Sequence, residues 1–262
     1  MLGKSDIHDF LRKAGIRRTD TVLVHTSMRS LGGVEGGCDG LIDAFVSYLD
    51  EGLFLVPTHT WGTVGRTESV YDVRTSVPCI GALPTVAAFR KDGVRSLHPT
   101  HSVAAFGKDA ADFIRGEETS PTPCPVGGLW ARLYDRDAKI LLLGVLMNRN
   151  TYIHAVDEMI GVRGKLREDS FPLTVIGYEG ERYEIPAFHA HYSGGSAHFE
   201  NYRAPLEALG ALTRAHLGEA EVSVFRAKPA TEILKTLWAR ADYDLSAEER
   251  EIPEDYYRDL LV

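Results

Sequence analysis

A chain of 262 residues leaves room for one large α/β domain or one and a half smaller ones, and 44% hydrophobic against 25% charged residues supplies enough apolar material for a substantial core. That balance excludes disorder, collagen and coiled coil; no run reaches the ~18 apolar residues of a membrane span, and the opening MLGKSDIHDFLRKAG has no signal-peptide stretch, so a cytoplasmic protein without a membrane partner is expected. A net charge of -8 opposes binding to nucleic acid and inclines toward a cationic small molecule, while Cys38, Cys79 and Cys124 form no CxxC pair and argue against a disulfide framework or a thiolate zinc knuckle.

Ser5 can cap a first helix whose apolar positions Ile7, Phe10, Leu11 and Ala14 fall at helical spacing, with Gly15 placed to end it. Thr21 to His25 (TVLVH) has the β-branched, nearly all-apolar pattern of a strand buried on both faces. The glycine-rich stretch Ser27 to Gly37 leads into a helix with Leu41, Ala44, Phe45, Tyr48 and Leu49 on one stripe. Leu53 to Val56 is a second strand stopped at Pro57, Trp61 to Pro78 a long polar loop of functional character, and Pro84 to Arg90 a helix. Lys139 to Val145 (KILLLGV) is the strongest buried-strand signal, followed by a helix over Thr151 to Ile160. Alternation of this kind predicts a single three-layer α/β/α domain around a largely parallel central sheet. Two alternating runs from Phe171 to Ile185, around Glu179 and Gly180, predict an antiparallel hairpin added to that sheet. Helices are expected over Phe199 to His216 and, behind Pro229, through Ile233, Leu234, Leu237 and Trp238.

Several segments carry residues able to do chemistry. The loop Thr26-Ser27-Met28-Arg29-Ser30-Leu31-Gly32-Gly33 follows a strand and precedes a helix, where backbone N–H groups can hold an anion, although it is neither a GxGxxG fingerprint nor a P-loop and can equally be a simple turn. His98-Pro99-Thr100-His101-Ser102 is extended at His98 because of Pro99, and is either a rigid loop with its histidines bonded to backbone or the lining of a ligand site. His154 and Asp157 stand three apart on a helix that starts near a strand's carboxyl end, an arrangement suited to a general base and its orienting carboxylate, or else a surface pair of no consequence. His189-Ala190-His191 alternates on an extended segment; with His98, His101 and His154 it offers a rival reading as a metal-dependent hydrolase, but the spacing matches no standard ligand set and no metal is expected. No GxSxG elbow marks a serine nucleophile.

Four ordered segments, VLVHTSMRSLGGVEGG (Val22 to Gly37), LFLVPTHTW (Leu53 to Trp61), VRSLHPTHSVAAFG (Val94 to Gly107) and KILLLGV with NTYIHAVDE (Lys139 to Val145, Asn150 to Glu158), resemble the aminoglycoside 3-N-acetyltransferase family. The resemblance covers residues 5–160 well, the coenzyme-binding part, and is looser over an acceptor-side part, 161–262. It implies an α/β/α fold and transfer of an acetyl group from acetyl-coenzyme A to an amine of an aminoglycoside, by direct attack and without a metal. By that resemblance Ser27 to Gly33 and His98 to Ser102 contact the coenzyme; on chemical grounds Thr26 and Val103 join the coenzyme-binding candidates, and Arg29 or Arg95 is expected to meet its phosphates. His154 is the base, oriented by Asp157 in place of the family's usual Glu, and His25, Thr26 or Ser27 meets the oxyanion. Thr58, Trp61, Glu158, His189 and His191 are the candidates on the acceptor side. Acylation of a different amine, or coenzyme binding without catalysis, are the alternatives; a homodimer is compatible with either.

Overall fold

The computed structural model describes residues 1–261. Helix α1 (Lys4–Lys13) leads into strand β1 (Thr21–Thr26), then helix α2 (Gly37–Tyr48), β2 (Leu53–Pro57), β3 (Val70–Asp72) and α3 (Ala82–Ala88). Next come β4 (Val94–Arg95), β5 (Val103–Gly107), α4 (Ala110–Phe113), α5 (Leu129–Asp135), β6 (Lys139–Leu143) and α6 (Thr151–Ile160). The chain continues through β7 (Phe171–Ile176), β8 (Arg182–Phe188), α7 (Arg203–Ala208), β9 (Leu212–Leu217), β10 (Ala220–Arg226) and α8 (Ala227–Arg240). No helix among the described residues is long and apolar enough to cross a membrane.

The main sheet has seven strands in the order β4-β5-β2-β1-β6-β10-β9. Its centre is parallel, with Val22 of β1 in register with Phe54 of β2 and Lys139 of β6. The middles of these strands, Val22 to Val24, Leu53 to Val56 and Ile140 to Leu143, are apolar because both faces are covered. Val22, Val24 and Leu141 pack with Ile7, Phe45 and Leu83 from α1, α2 and α3. Leu23, Ile140 and Leu142 pack with Trp130, Tyr152 and Leu234 from α5, α6 and α8. Full burial of one such side chain contributes about 1.5–3 kcal/mol, so the two faces together clamp the centre of the sheet. This is the three-layer α/β/α architecture, with parallel pairing confined to β2, β1 and β6; β5 joins β2, and β10 joins β6, antiparallel.

Three expectations need correction. The first helix is capped by Gly3, whose N–H donates to the Asp6 carboxylate at 2.8 Å, and Ser5 lies inside the first turn. The predicted hairpin forms as β7 and β8 but joins β3, in a separate three-stranded sheet, because Tyr71, Val175, Ile185 and Phe188 bury one another in a small core of their own. The helix expected through His216 stops at Ala208; Gly210, at φ 70°, turns the chain into β9, and β10 follows. Leu206, Leu209 and Leu212 mimic helical spacing, yet the glycine between the last two is a stop signal that outweighs it.

Candidate active site

The carboxyl ends of the parallel strands open into a cleft of about 920 Å3, the usual place for a ligand in an open α/β sheet. β1 delivers His25 and Thr26. Beyond β2 the ladder continues, with Thr58 N donating to Ser102 O at 2.7 Å and Thr60 N to Thr100 O at 3.0 Å, and so His59, Thr100 and His101 reach the same cleft. β6 ends at Gly144, φ 64°, where a Cβ would meet the Ser30 side chain at 2.4 Å; the Ser27 turn therefore packs directly on the strand end. Asn150 then caps α6, accepting from Tyr152 N at 3.3 Å, and the helix's first turn presents Thr151 and His154 to the cleft. The segment after β8 forms the roof. A Cβ on Gly195 would lie 3.7 Å from His154 Cε1, so this loop lies over the imidazole. A second hollow of about 1040 Å3, between the end of α6 and α8, is lined by no imidazole.

The cleft wall is a cluster of histidines. His154 stacks on His191 with ring centroids 4.3 Å apart, and His59 lies 4.5 Å from His101. His154 Nδ1, His25 Nε2, His59 Nε2 and Thr26 Oγ1 are buried without a hydrogen-bond partner among the described residues. Orphaned polar atoms gathered at one wall are what a ligand site leaves when the protein is alone. Burial holds the His154, His59 and His101 rings well below the ordinary histidine range, with neighbouring imidazoles adding to the effect, and pushes His25 down to about 3. Neutral rings follow, each with one N–H to donate and one lone pair to accept.

These shifts set the pH dependence of stability. Below 6.5 the unfolded chain binds protons that the folded chain refuses until about 4 at His98 and about 3 at His25. Stability therefore falls with falling pH, by up to about 1.4 kcal/mol per pH unit for each ring. Glu117 and Asp157, pushed up to about 7 by burial, act in the opposite sense, since the folded chain retains their protons while the unfolded chain loses them as pH rises from about 4. The depressed imidazoles outnumber the raised carboxyls, so the melting temperature is expected to climb between about pH 5 and 6.5. A flat thermal-denaturation profile over that window would contradict the burial of these rings.

Asp157 does not orient His154. Both its carboxylate oxygens lack a hydrogen-bond partner and the residue is 1% exposed; the charges acting on it are Lys165, Asp244 and Glu158. The carboxylate that supports the histidine pair is Glu158, which accepts from His191 Nε2 at 2.8 Å, from Cys124 N at 2.9 Å and from the Thr122 hydroxyl at 2.5 Å. Glu158 lies behind His191, outside the cleft lining. Asp157→Asn is expected to keep turnover within a few-fold and to raise the melting temperature above pH 7, where the native carboxyl must ionise in a buried setting. Glu158→Ala is expected to lower both turnover and stability, the latter by about 1–3 kcal/mol from the unpaired Cys124 N–H and Thr122 hydroxyl. Equal effects of the two substitutions on activity would reject this division of roles.

Other candidates separate in the same way. Thr26, Ser27, His25, Trp61 and His191 line the cleft. Met28 to Leu31 coil into a 3-10 turn that buries Leu31, and with Gly32 and Gly33 they lie outside the lining. His98, Ser102 and Val103 are fully buried. His98 Nδ1 accepts from His101 N at 2.9 Å while its Nε2 bonds to Thr122 O at 2.9 Å, so the rigid-loop reading holds and Thr100 and His101 face the cleft in its place. Thr58 is also fully buried, and His189 turns its Nδ1 to Arg167 O at 3.0 Å, away from the lining. Arg95, 1% exposed, is a structural hub outside the cleft lining. With the His98 and His189 nitrogens engaged by carbonyls, the four histidines of the hydrolase reading do not converge. His59, Asn148, Arg149, Arg66, Arg167 and Tyr192 line the cleft and were not singled out from the sequence. His59 and Arg149 had a signal, since each follows a predicted parallel strand; the roof residues had none.

The family model described as aminoglycoside 3-N-acetyltransferase matches residues 23–239. The chain belongs to that family. A prophage-derived aminoglycoside N(3')-acetyltransferase-like protein of Bacillus subtilis is 29% identical over 203 residues, covering 66% of this chain and 71% of the relative. Among solved structures, a histidine-to-alanine variant of aminoglycoside acetyltransferase AAC(3)-IVa in complex with a gentamicin superposes with a TM-score of 0.78 at 22% identity, over 98% of this chain and 96% of that one. AAC-IIIb, solved with CoASH, superposes with a TM-score of 0.73 at 18% identity, over 91% of this chain and 96% of that one. At these identities the likeness is one of fold.

Proposed function

We propose that this member of the acetyltransferase family is an acetyl-coenzyme A dependent N-acetyltransferase of small-molecule amines, with His154 as general base. The observation that carries the reading is the set of unpartnered atoms, His154 Nδ1, His25 Nε2 and Thr26 Oγ1, on one wall at the carboxyl ends of the parallel strands. The residues present fit the coenzyme: Asn148 Oδ1 is buried without a partner beside the exposed Arg149, on the connection that packs against the Ser27 turn. When bound, acetyl-coenzyme A supplies an acetyl thioester activated for attack. Neutral His154 accepts the proton that an ammonium must lose before its nitrogen can attack. The His25 ring and the Thr26 hydroxyl meet the charge that grows on the acyl oxygen, where fixed donors in a dry site have their greatest effect. The Gly195 loop over His154 limits the access of water.

The relatives' names make an aminoglycoside the reference acceptor, and the CoASH complex of AAC-IIIb supports the choice of donor. Thiol release from acetyl-coenzyme A, followed with gentamicin and with a panel of simpler amines, tests the reading. Amine-dependent release is the expected result; binding of the coenzyme with no release across the panel would leave a coenzyme-binding protein without catalysis.

A further inference from the structure

The charge around the cleft bears on the acceptor, on the premise that the transferase reading holds. Among the described residues no Asp or Glu lines the cleft; its charged lining is Arg66, Arg149 and Arg167. They stand on two walls. Arg149 belongs to the floor, between β6 and α6, beside Ser27 and the unpartnered Asn148 Oδ1. Arg66 and Arg167 belong to the roof, where Arg66 lies 5.0 Å from the Phe171 ring centroid and Arg167 5.7 Å from that of Tyr192. Stacking of this kind fixes a guanidinium plane while leaving N–H edges for oxygen ligands.

Among the described residues one carboxylate forms ion pairs with these two arginines, and it is shared between them. Asp169 is 2.5 Å from Arg66 and 2.9 Å from Arg167, so two positive charges meet one negative and the roof keeps a net positive charge. Glu158, close to the other side of His191, is already occupied by the His191 ring, the Thr122 hydroxyl and the Cys124 N–H. A polycation entering here would find guanidinium groups and no free carboxylate, and like charges brought together in an interface select against a partner. The roof also adjoins the base directly: Tyr192, beside Arg167, follows His191, which stacks on His154.

We infer that the acceptor is an amine that also carries a carboxylate or phosphate, its anionic end held by Arg66 and Arg167 and its nitrogen presented to His154. Guanidinium forks match both oxyanions in geometry and charge. In the reaction the N–C bond forms and the thioester C–S bond breaks. The thiol leaves as CoASH with one proton, and the other ammonium proton passes through His154 to solvent.

Calorimetric titration of the protein saturated with coenzyme A tests this with phosphoethanolamine, β-alanine, ethanolamine, ethylenediamine and gentamicin. At least about tenfold tighter binding of phosphoethanolamine or β-alanine than of ethylenediamine is expected, equivalent to about 1.4 kcal/mol; comparison of the two anionic probes tells phosphate from carboxylate. Arg66→Ala with Arg167→Ala is expected to abolish the preference, whereas Arg149→Ala is expected to weaken coenzyme A and leave the ranking of acceptors. Equal binding across the set, tighter binding of ethylenediamine or gentamicin, or loss of coenzyme A affinity on removing the roof arginines overturns the inference. Failure of coenzyme A to bind the unaltered protein overturns the transferase reading instead.

Discussion

Replacing His154 by Ala lowers kcat by a factor on the order of 10²–10⁴, about 3–5 kcal/mol of barrier, while coenzyme A affinity stays within a few-fold. The ring stands where the α6 first turn meets the strand ends, stacked on His191 and edged by Phe199. Its packing role is modest, because Ile153, Ala155 and Val156 carry the buried face of α6. Loss of turnover without a large fall in melting temperature is thus the signature of lost proton acceptance. The pH profile supplies an independent check. Burial and the nearby imidazoles hold His154 well below its ordinary 6.5, so the acid limb of kcat in the unaltered protein lies below that value. Steady-state thiol release across pH, with coenzyme titrations on the same preparations, measures both. Undiminished turnover in His154→Ala removes the proposed base.

Arg95→Leu destabilises the protein by roughly 3–5 kcal/mol, the largest effect on stability expected of any substitution near the site. Among the described residues Arg95 has no carboxylate partner in its buried position. Its guanidinium instead donates to Ser76 O at 2.6 Å, to Thr58 O at 3.0 Å and to the hydroxyls of Thr58 and Ser102 at 3.2 Å, with the Tyr71 ring centroid 5.2 Å away. Leucine fills part of the volume and leaves those acceptors unsatisfied in a dry interior. The segment Thr58 to Thr60, which positions His59, and the connection through Ser76 are tied by the same group, so activity falls along with stability. Chemical denaturation gives the free energy directly. A change below about 1 kcal/mol would show that water reaches the vacated carbonyls.

Much of the architecture was legible because it rests on local pattern. TVLVH, LFLV and KILLL are nearly unbroken apolar runs, and only a strand covered on both faces accommodates them, which is why the parallel centre emerged where expected. The helix expected over Thr151 to Ile160 is α6, and in the structure Asn150 caps its start while Gly161, in the left-handed region, ends it. Helix α5 and strands β5 and β10 were missed, since their apolar residues lie in short stretches whose partners are far away in the chain. Of the residues that line the cleft, His154, His25, Thr26 and Ser27 were expected, because strand ends and the following loop or helix are local features. Asp157 was expected to pair with His154 and does not: helical spacing fixes which residues are neighbours on a helix, but the neighbours of the next segment decide which carboxylate finds a partner. Here His191, from beyond β8, takes Glu158.

The amino-acid sequence by itself determined the layered fold, the cleft at the strand ends and the family, because each depends on the order of apolar runs and on short motifs. Only the tertiary structure decided which side chains share the cleft and what charge it carries. A net charge of -8 spread over the surface coexists with a cleft lined by arginines. Total charge is a sum over the chain, whereas recognition depends on the few groups that folding brings within several ångströms of one another, from segments as distant as Arg66 and Arg167.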